Sequence, residues 1–133
     1  MVKITNDNIT DLKQGDIFVF GSNESGRHGK GAAKTALGFG AKYGQSYGLQ
    51  GRTFAIPTVN ASVSHKLKIE KVKYYVDKFY IFVKEFPELN FLVTEIGCGL
   101  AGFTVKEIAP LFKDFINLEN VYLPSRFWRI ISK

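Results

Sequence analysis

Asp16-Ile17-Phe18-Val19-Phe20-Gly21-Ser22-Asn23 holds four consecutive apolar, β-prone residues and then breaks into small and polar ones. An apolar run this short, with no alternation, reads as a strand buried on both faces, and Gly21-Ser22-Asn23 carries it into a glycine-rich loop. The same grammar returns at Asn90-Phe91-Leu92-Val93-Thr94-Glu95-Ile96, which leads into Gly97-Cys98-Gly99-Leu100-Ala101-Gly102. Strands buried on both faces need helices above and below them, which points to an α/β protein.

The segments between and around these two strands supply the helices. Lys30 to Ala41 is helix-compatible, with Gly38 and Gly40 expected to end the helix early. Arg52-Thr53-Phe54-Ala55-Ile56-Pro57 reads as a second strand stopped by its proline. Leu67, Val72, Tyr75, Val76, Phe79, Val83 and Phe86 recur at steps of three and four, the period of a long amphipathic helix closed by Pro87. Thr104 and Glu107 have the spacing of a capping box, while Pro110 is expected to delay the regular helix until near its own position. Asn120-Val121-Tyr122-Leu123-Pro124 is the last expected strand. Strands alternating with helices predict a single domain over residues 1–133, with a central, mostly parallel mixed sheet flanked by helices in three layers and joined by right-handed crossovers.

A chain of 133 residues, 45% hydrophobic and 23% charged, is ordinary for one globular domain and far from the composition of disorder. Its apolar runs are much shorter than the ~18–20 residues that span a bilayer, and the polar start lacks a secretory segment, so a cytoplasmic protein without membrane contact is expected. Cys98 is the only cysteine and His28 and His65 the only histidines. That excludes an internal disulfide and a cysteine-rich zinc site, and no metal or cofactor is expected. The formal charge of +6 favours an anionic partner without naming it. Nucleic acid is one alternative: Lys66, Lys68, Lys71, Lys73 and Lys78 lie together, and Arg126-Phe127-Trp128-Arg129 mixes cations with rings. Their ordinary readings are a solvated helix face and a C-terminus packed on the sheet.

Nine of the 13 glycines fall between Gly21 and Gly51 and three between Gly97 and Gly102. In an open α/β sheet, ligands sit beyond the carboxyl ends of the strands, where both loops are expected. Glycine lets the main chain approach a ligand closely, so the two loops together can hold a diphosphate by backbone N–H groups. Neither the Walker spacing nor the dinucleotide G-x-G-x-x-G is present. The competing readings are close helix–sheet packing at Gly29 and Gly31, and a tight turn at Gly97, Gly99 and Gly102. Arg27 and Lys30 can pair with phosphate or simply solvate their loop. Asn23 can orient a ribose hydroxyl or a water, or cap an Asx-turn. His28 is a catalytic candidate or an exposed loop histidine. Glu95 is a buried base or a solvent-facing strand end, and Cys98 a small buried hydrophobe before it is a nucleophile. Asp16 stands at the opposite end of its strand, about 16 Å from the loop.

Taken in order, these motifs resemble the macrodomains, which bind ADP-ribose and in some members hydrolyse ADP-ribosyl bonds. Phe18-Val19-Phe20-Gly21-Ser22-Asn23 is similar to the family strand ending in an asparagine at the distal ribose. Gly29-Lys30-Gly31-Ala32-Ala33 resembles its glycine loop and helix start, and Phe54-Ala55-Ile56-Pro57-Thr58 its next central strand. Ile96-Gly97-Cys98-Gly99-Leu100-Ala101-Gly102-Phe103 looks like the phosphate loop with its trailing aromatic. The resemblance implies that Gly21, Ser22 and Asn23, Gly29 to Ala33, and Gly97 to Phe103 bind the ligand. It implies as partner ADP-ribose or an ADP-ribosylated macromolecule, held by a monomer. Ile96 to Leu100, with Ser64-His65-Lys66, is closest to the branch of the terminal ADP-ribose protein glycohydrolase. That branch uses a lysine and an aspartate where this chain has Val59 or Asn60, and Ala101, so the resemblance leaves a reader and a hydrolase both open.

Overall fold

β1 (Asp16–Asn23) forms the middle of a five-stranded sheet because Ile17, Phe18, Val19 and Phe20 are all buried and need cover on two sides. The computed structural model describes residues 3–132. The chain continues through α1 (Gly31–Leu37), β2 (Gly48–Gln50), β3 (Thr53–Val59), α2 (Ile69–Glu85) and β4 (Asn90–Val93). It ends with α3 (Val105–Ile108), a 3₁₀ segment (Ala109–Asn117), β5 (Val121–Tyr122) and α4 (Ser125–Ile131). The strand order is β2-β3-β1-β4-β5; β3, β1, β4 and β5 run parallel, and β2 is an antiparallel edge.

Alternation along β1 divides the interior. Phe18 and Phe20 join Ala33, Ala36 and Ala55 in a small cluster under α1. Ile17 and Val19 join the larger cluster, built with Val72, Val76, Phe79 and Val83 of α2 and with Phe112, Phe115 and Phe127. Phe79 is fully buried, with ring centroids 4.7 Å from Phe54, 5.5 Å from Phe91 and 5.6 Å from Phe115. The three-layer α/β arrangement expected from the alternation of strands and helices is the one observed. No helix among the described residues is long and apolar enough to cross a membrane.

Several local expectations are corrected. β3 does not stop at Pro57 but pairs on to Val59. Its outer neighbour β2 reaches only from Thr53 to Ala55, so at Pro57 the open side of the strand requires no N–H donor. β2 itself, three residues ending in buried Gln50, has no apolar run to announce it. The capping box is present, with Thr104 Oγ1 accepting from the Glu107 N–H and Glu107 accepting from the Thr104 N–H. The α-helical turn it starts lies before Pro110, not after it. From Ala109 onward the chain tightens to 3₁₀ geometry, since Pro110 has no N–H to return to a carbonyl four residues back.

β1 sits between β3 and β4, and α2 carries the chain from one flank to the other. That reversal is the topological switch at which the carboxyl ends of parallel strands open a crevice. It directs Gly21 to Asn23, Thr58 and Val59, and Thr94 to Ile96 toward the same edge.

Candidate functional site

A cavity of about 720 Å³ occupies that edge. It is lined by the end of β1, by Arg27 and Gly29 to Ala33, and by Gly97 with Gly99 to Ala101. The two glycine loops, separate in sequence, therefore face one space. The remaining side is a loop not assigned to the site from sequence, Val63-Ser64-His65-Lys66.

The glycines divide by physical role. Gly97 has φ +74°, and a Cβ there would lie 3.0 Å from Phe103 Cδ2 and 3.4 Å from both Ile108 Cδ1 and Thr58 Cγ2. It is required by the turn and by the packing behind it. Gly29 and Gly99 are different: neither has a positive φ, and a Cβ at either would meet nothing within 4 Å. Helix–sheet packing does not explain Gly29, and turn geometry does not explain Gly99. At both points a Cβ would stand in open space, and both residues line the cavity.

The side chains proposed from sequence fare unevenly. Asn23 lines the cavity, but its Oδ1 accepts from Arg27 N and Ser25 Oγ, and its Nδ2 donates to Arg27 O at 2.9 Å. It builds the loop from within, as an Asx-turn residue does, with one amide hydrogen left over. His28 is neither exposed nor at the cavity. It is fully buried on the α1 side, its ring 5.1 Å from Phe20 and its Nε2 3.1 Å from Gln50 Oε1. Gln50 Oε1 also accepts from Lys42 N, so it acts as acceptor for His28 Nε2–H as well, and Nδ1 has no hydrogen-bond partner. The histidine belongs to the core beneath the first loop, because the backbone after Gly26 turns its side chain inward.

Cys98, Gly102 and Phe103 lie outside the lining. Cys98 packs against the main cluster with Sγ toward Ile96 O, and burial pushes its thiol up to about 11, which makes it a poor nucleophile. Phe103 is a core residue backing Gly97, with Lys66 Nζ 4.8 Å above its ring. Glu95 reaches the cavity, but Arg126 binds its carboxylate in a fork at 2.7 and 2.5 Å. Those hydrogen bonds hold the carboxyl below its usual range and weaken it as a base. Asp16 accepts from Lys13 N at the far end of β1.

Beyond Thr94 and Glu95, which line both spaces, lies a second cavity of about 490 Å³ bounded by Thr5, Asn6, Asp7, Pro124, Arg126 and Arg129. Sequence reading had no signal for this neighbour. Its residues come from opposite ends of the chain, brought together by a parallel bridge between Ile4 and Leu123.

The main cavity is electropositive. Arg27, Lys30 and Lys66 form no salt bridge among the described residues, whereas the carboxylate of Glu95 is neutralised by Arg126. The lysine-rich face of α2 is largely engaged instead: Lys71 pairs with Glu24 at 2.6 Å, Lys73 with Asp77 at 2.7 Å, and Lys78 lies 4.4 Å over Tyr47. Likewise Phe127 is buried and Trp128 donates to Lys3 O. Among the described residues no three His, Cys, Asp or Glu side chains gather as a metal site.

No protein-family model and no curated protein matches the chain. A solved structure of a protein of unknown function from Bacteroides thetaiotaomicron is similar to it, with a TM-score of 0.65 over 92% of this chain and 94% of that one. At 14% identity, the likeness establishes a shared fold and nothing about what either site holds.

Proposed function

We propose that the main cavity binds ADP-ribose or a related NAD-derived nucleotide, free or attached to a macromolecule. The observation that carries this reading is the pair Gly29 and Gly99: two loops present side-chain-free backbone to one cavity where neither conformation nor packing asks for glycine. Main-chain N–H groups in such loops suit phosphate oxygens, which accept several short hydrogen bonds and need close approach. Arg27, Lys30 and Lys66 supply the matching positive field. The second polar cavity shares Thr94 and Glu95 with the first and offers room for the far end of an extended diphosphate ligand.

The resemblance to macrodomains supports ADP-ribose within this chemical class. The lysine–aspartate pair of the nearest branch has no counterpart, because Val59 and Ala101 both line the cavity and neither transfers a proton. Binding is therefore the primary function assigned. The alternative of a general nucleic-acid-binding surface draws less support, because the α2 lysines and C-terminal rings it needs are occupied within the fold. Titration calorimetry with ADP-ribose, AMP and a single-stranded oligonucleotide tests the reading. Saturable binding of ADP-ribose, weaker binding of AMP and little affinity for the oligonucleotide at 150 mM salt are expected.

A further inference from the structure

The loop from Asn60 to Lys66 contributes Val63 to Lys66 to the cavity lining and holds an unusual backbone. Val63 has φ +57°, in the left-handed region where a β-branched residue is rare. Asn60 stabilises the turn, its Oδ1 accepting from Ser64 N at 2.9 Å and His65 N at 3.2 Å, and Lys66 Nζ reaches across to Gly102 O at 3.4 Å. The consequence is that Ser64 and His65 both line the cavity, with Ser64 Oγ 3.0 Å from His65 Nδ1. Asn60 Nδ2 donates to the same hydroxyl at 3.2 Å, and Ser62 Oγ lies 2.7 Å away.

Among the described residues lining this cavity, His65 alone carries an imidazole, the side chain most often used for general acid–base work. Arg27, Lys30 and Lys66 are the other basic side chains there, and Glu95 is held as a carboxylate by Arg126. Ser64 holds Nδ1, so Nε2 is the nitrogen left to meet a ligand. A turn with a β-branched residue at positive φ, holding one imidazole in the cavity lining by a hydroxyl, is an arrangement that binding alone does not require.

We infer that His65 is a general acid for hydrolysis of an ADP-ribosyl bond to a hydroxyl group, with Ser64 as its positioning residue; this rests on the ADP-ribose reading above. In the step, the imidazolium Nε2–H gives its proton to the leaving oxygen as the bond from that oxygen to the anomeric carbon breaks. Water forms the new bond to the anomeric carbon, and the proton it sheds restores the imidazolium. The products are ADP-ribose and the free alcohol. Ser64 Oγ accepts from Nδ1–H and fixes the ring plane. The charges that share the cavity with His65 are Arg27, Lys30, Lys66 and the paired Glu95, with Glu107 beside Lys66.

The test uses a serine-linked and a glutamate-linked ADP-ribosyl peptide with the full chain, His65→Gln and Ser64→Ala, and measures released ADP-ribose across pH alongside calorimetric ADP-ribose affinity. An alkoxide needs a proton to leave and a carboxylate does not. His65→Gln is therefore expected to lose about 100-fold in rate or more on the serine linkage, much less on the glutamate linkage, and under threefold in affinity. The native rate on serine should fall as pH rises, a dependence His65→Gln lacks, and Ser64→Ala should be intermediate. Both sites are exposed, so melting curves should stay close to native. Binding of ADP-ribose without release from the serine peptide would overturn the inference and leave the binding reading standing. Native-like release by His65→Gln, or equal losses of binding and rate, would also overturn it. Absence of ADP-ribose binding in the native chain removes both readings.

Discussion

Replacing Gly99 separates a ligand-facing glycine from a structural one. Because φ at Gly99 is not positive and a Cβ would touch nothing within 4 Å, Gly99→Ala removes unfolded-state freedom without native strain. That substitution should stabilise by about 0.4–1 kcal/mol, equivalent to roughly 2–4 °C in Tm for a domain of this size. The methyl group stands where the phosphate should approach, and one lost hydrogen bond to a charged acceptor costs about 1.5–3 kcal/mol, so ADP-ribose affinity should fall by roughly tenfold or more. Gly99→Glu adds a carboxylate. At ~4 Å from a phosphate, with an effective dielectric of ~20, the repulsion is about 4 kcal/mol, and screening at an open site reduces it to about half, a loss near 30-fold. Gly102→Ala is the internal contrast: φ is +91° there, and alanine should destabilise by about 1–2 kcal/mol. Differential scanning fluorimetry and calorimetry on the three variants give both quantities. If Gly99→Ala lowers Tm as Gly102→Ala does, or both Gly99 variants bind ADP-ribose like the native chain, the argument from bare backbone fails.

Phe79→Ala should cost about 3–5 kcal/mol in denaturant unfolding, since it empties a fully buried site bounded by Phe54, Phe91 and Phe115. His28→Ala should destabilise by about 2–4 kcal/mol while leaving ADP-ribose affinity within threefold, because the ring fills the core beside Gln50 and not the cavity; a selective loss of binding would contradict its placement. Thr104→Ala removes the helix cap of α3 and should cost about 0.5–2 kcal/mol by the same unfolding assay. Arg126 depresses the Glu95 carboxyl in the folded chain, so the pair adds stability above the ordinary carboxylate range and loses it as pH falls through the lowered folded value. The Tm difference between native protein and Glu95→Gln should accordingly be present at pH 7 and vanish in strong acid.

The strands and helices that matter most were legible locally. Ile17 to Phe20 is apolar on both faces, α2 repeats its apolar residues at helical spacing, and Thr104 and Glu107 form a cap that involves only neighbours; each of these signals is carried by residues adjacent in the chain. The weaker elements were not. β2 is a strand only because β3 lies beside it, and Pro57 is tolerated only because β2 ends at a register that leaves its side of β3 open. Two glycine loops at strand ends could likewise be recognised as candidates from composition alone. Whether Gly29 and Gly99 meet across one cavity depends on β1 and β4 being neighbours, a pairing between residues some seventy positions apart.

Side-chain roles were the least accessible, and for one reason. An orientation is set by the backbone angles of a loop and by partners remote in sequence, and no local pattern encodes either. His28 turned inward to Gln50, Asn23 spent its hydrogen bonds on Arg27 and Ser25, and Glu95 found Arg126. His65 instead reached the cavity through a turn held by Asn60. Amino-acid order alone settled the α/β class, the principal strands and helices and the position of both glycine loops, because burial periodicity and chain stiffness act over a few residues. Only the packed fold could decide which side chains share a surface, since that is fixed by strand order and by contacts the linear chain does not adjoin.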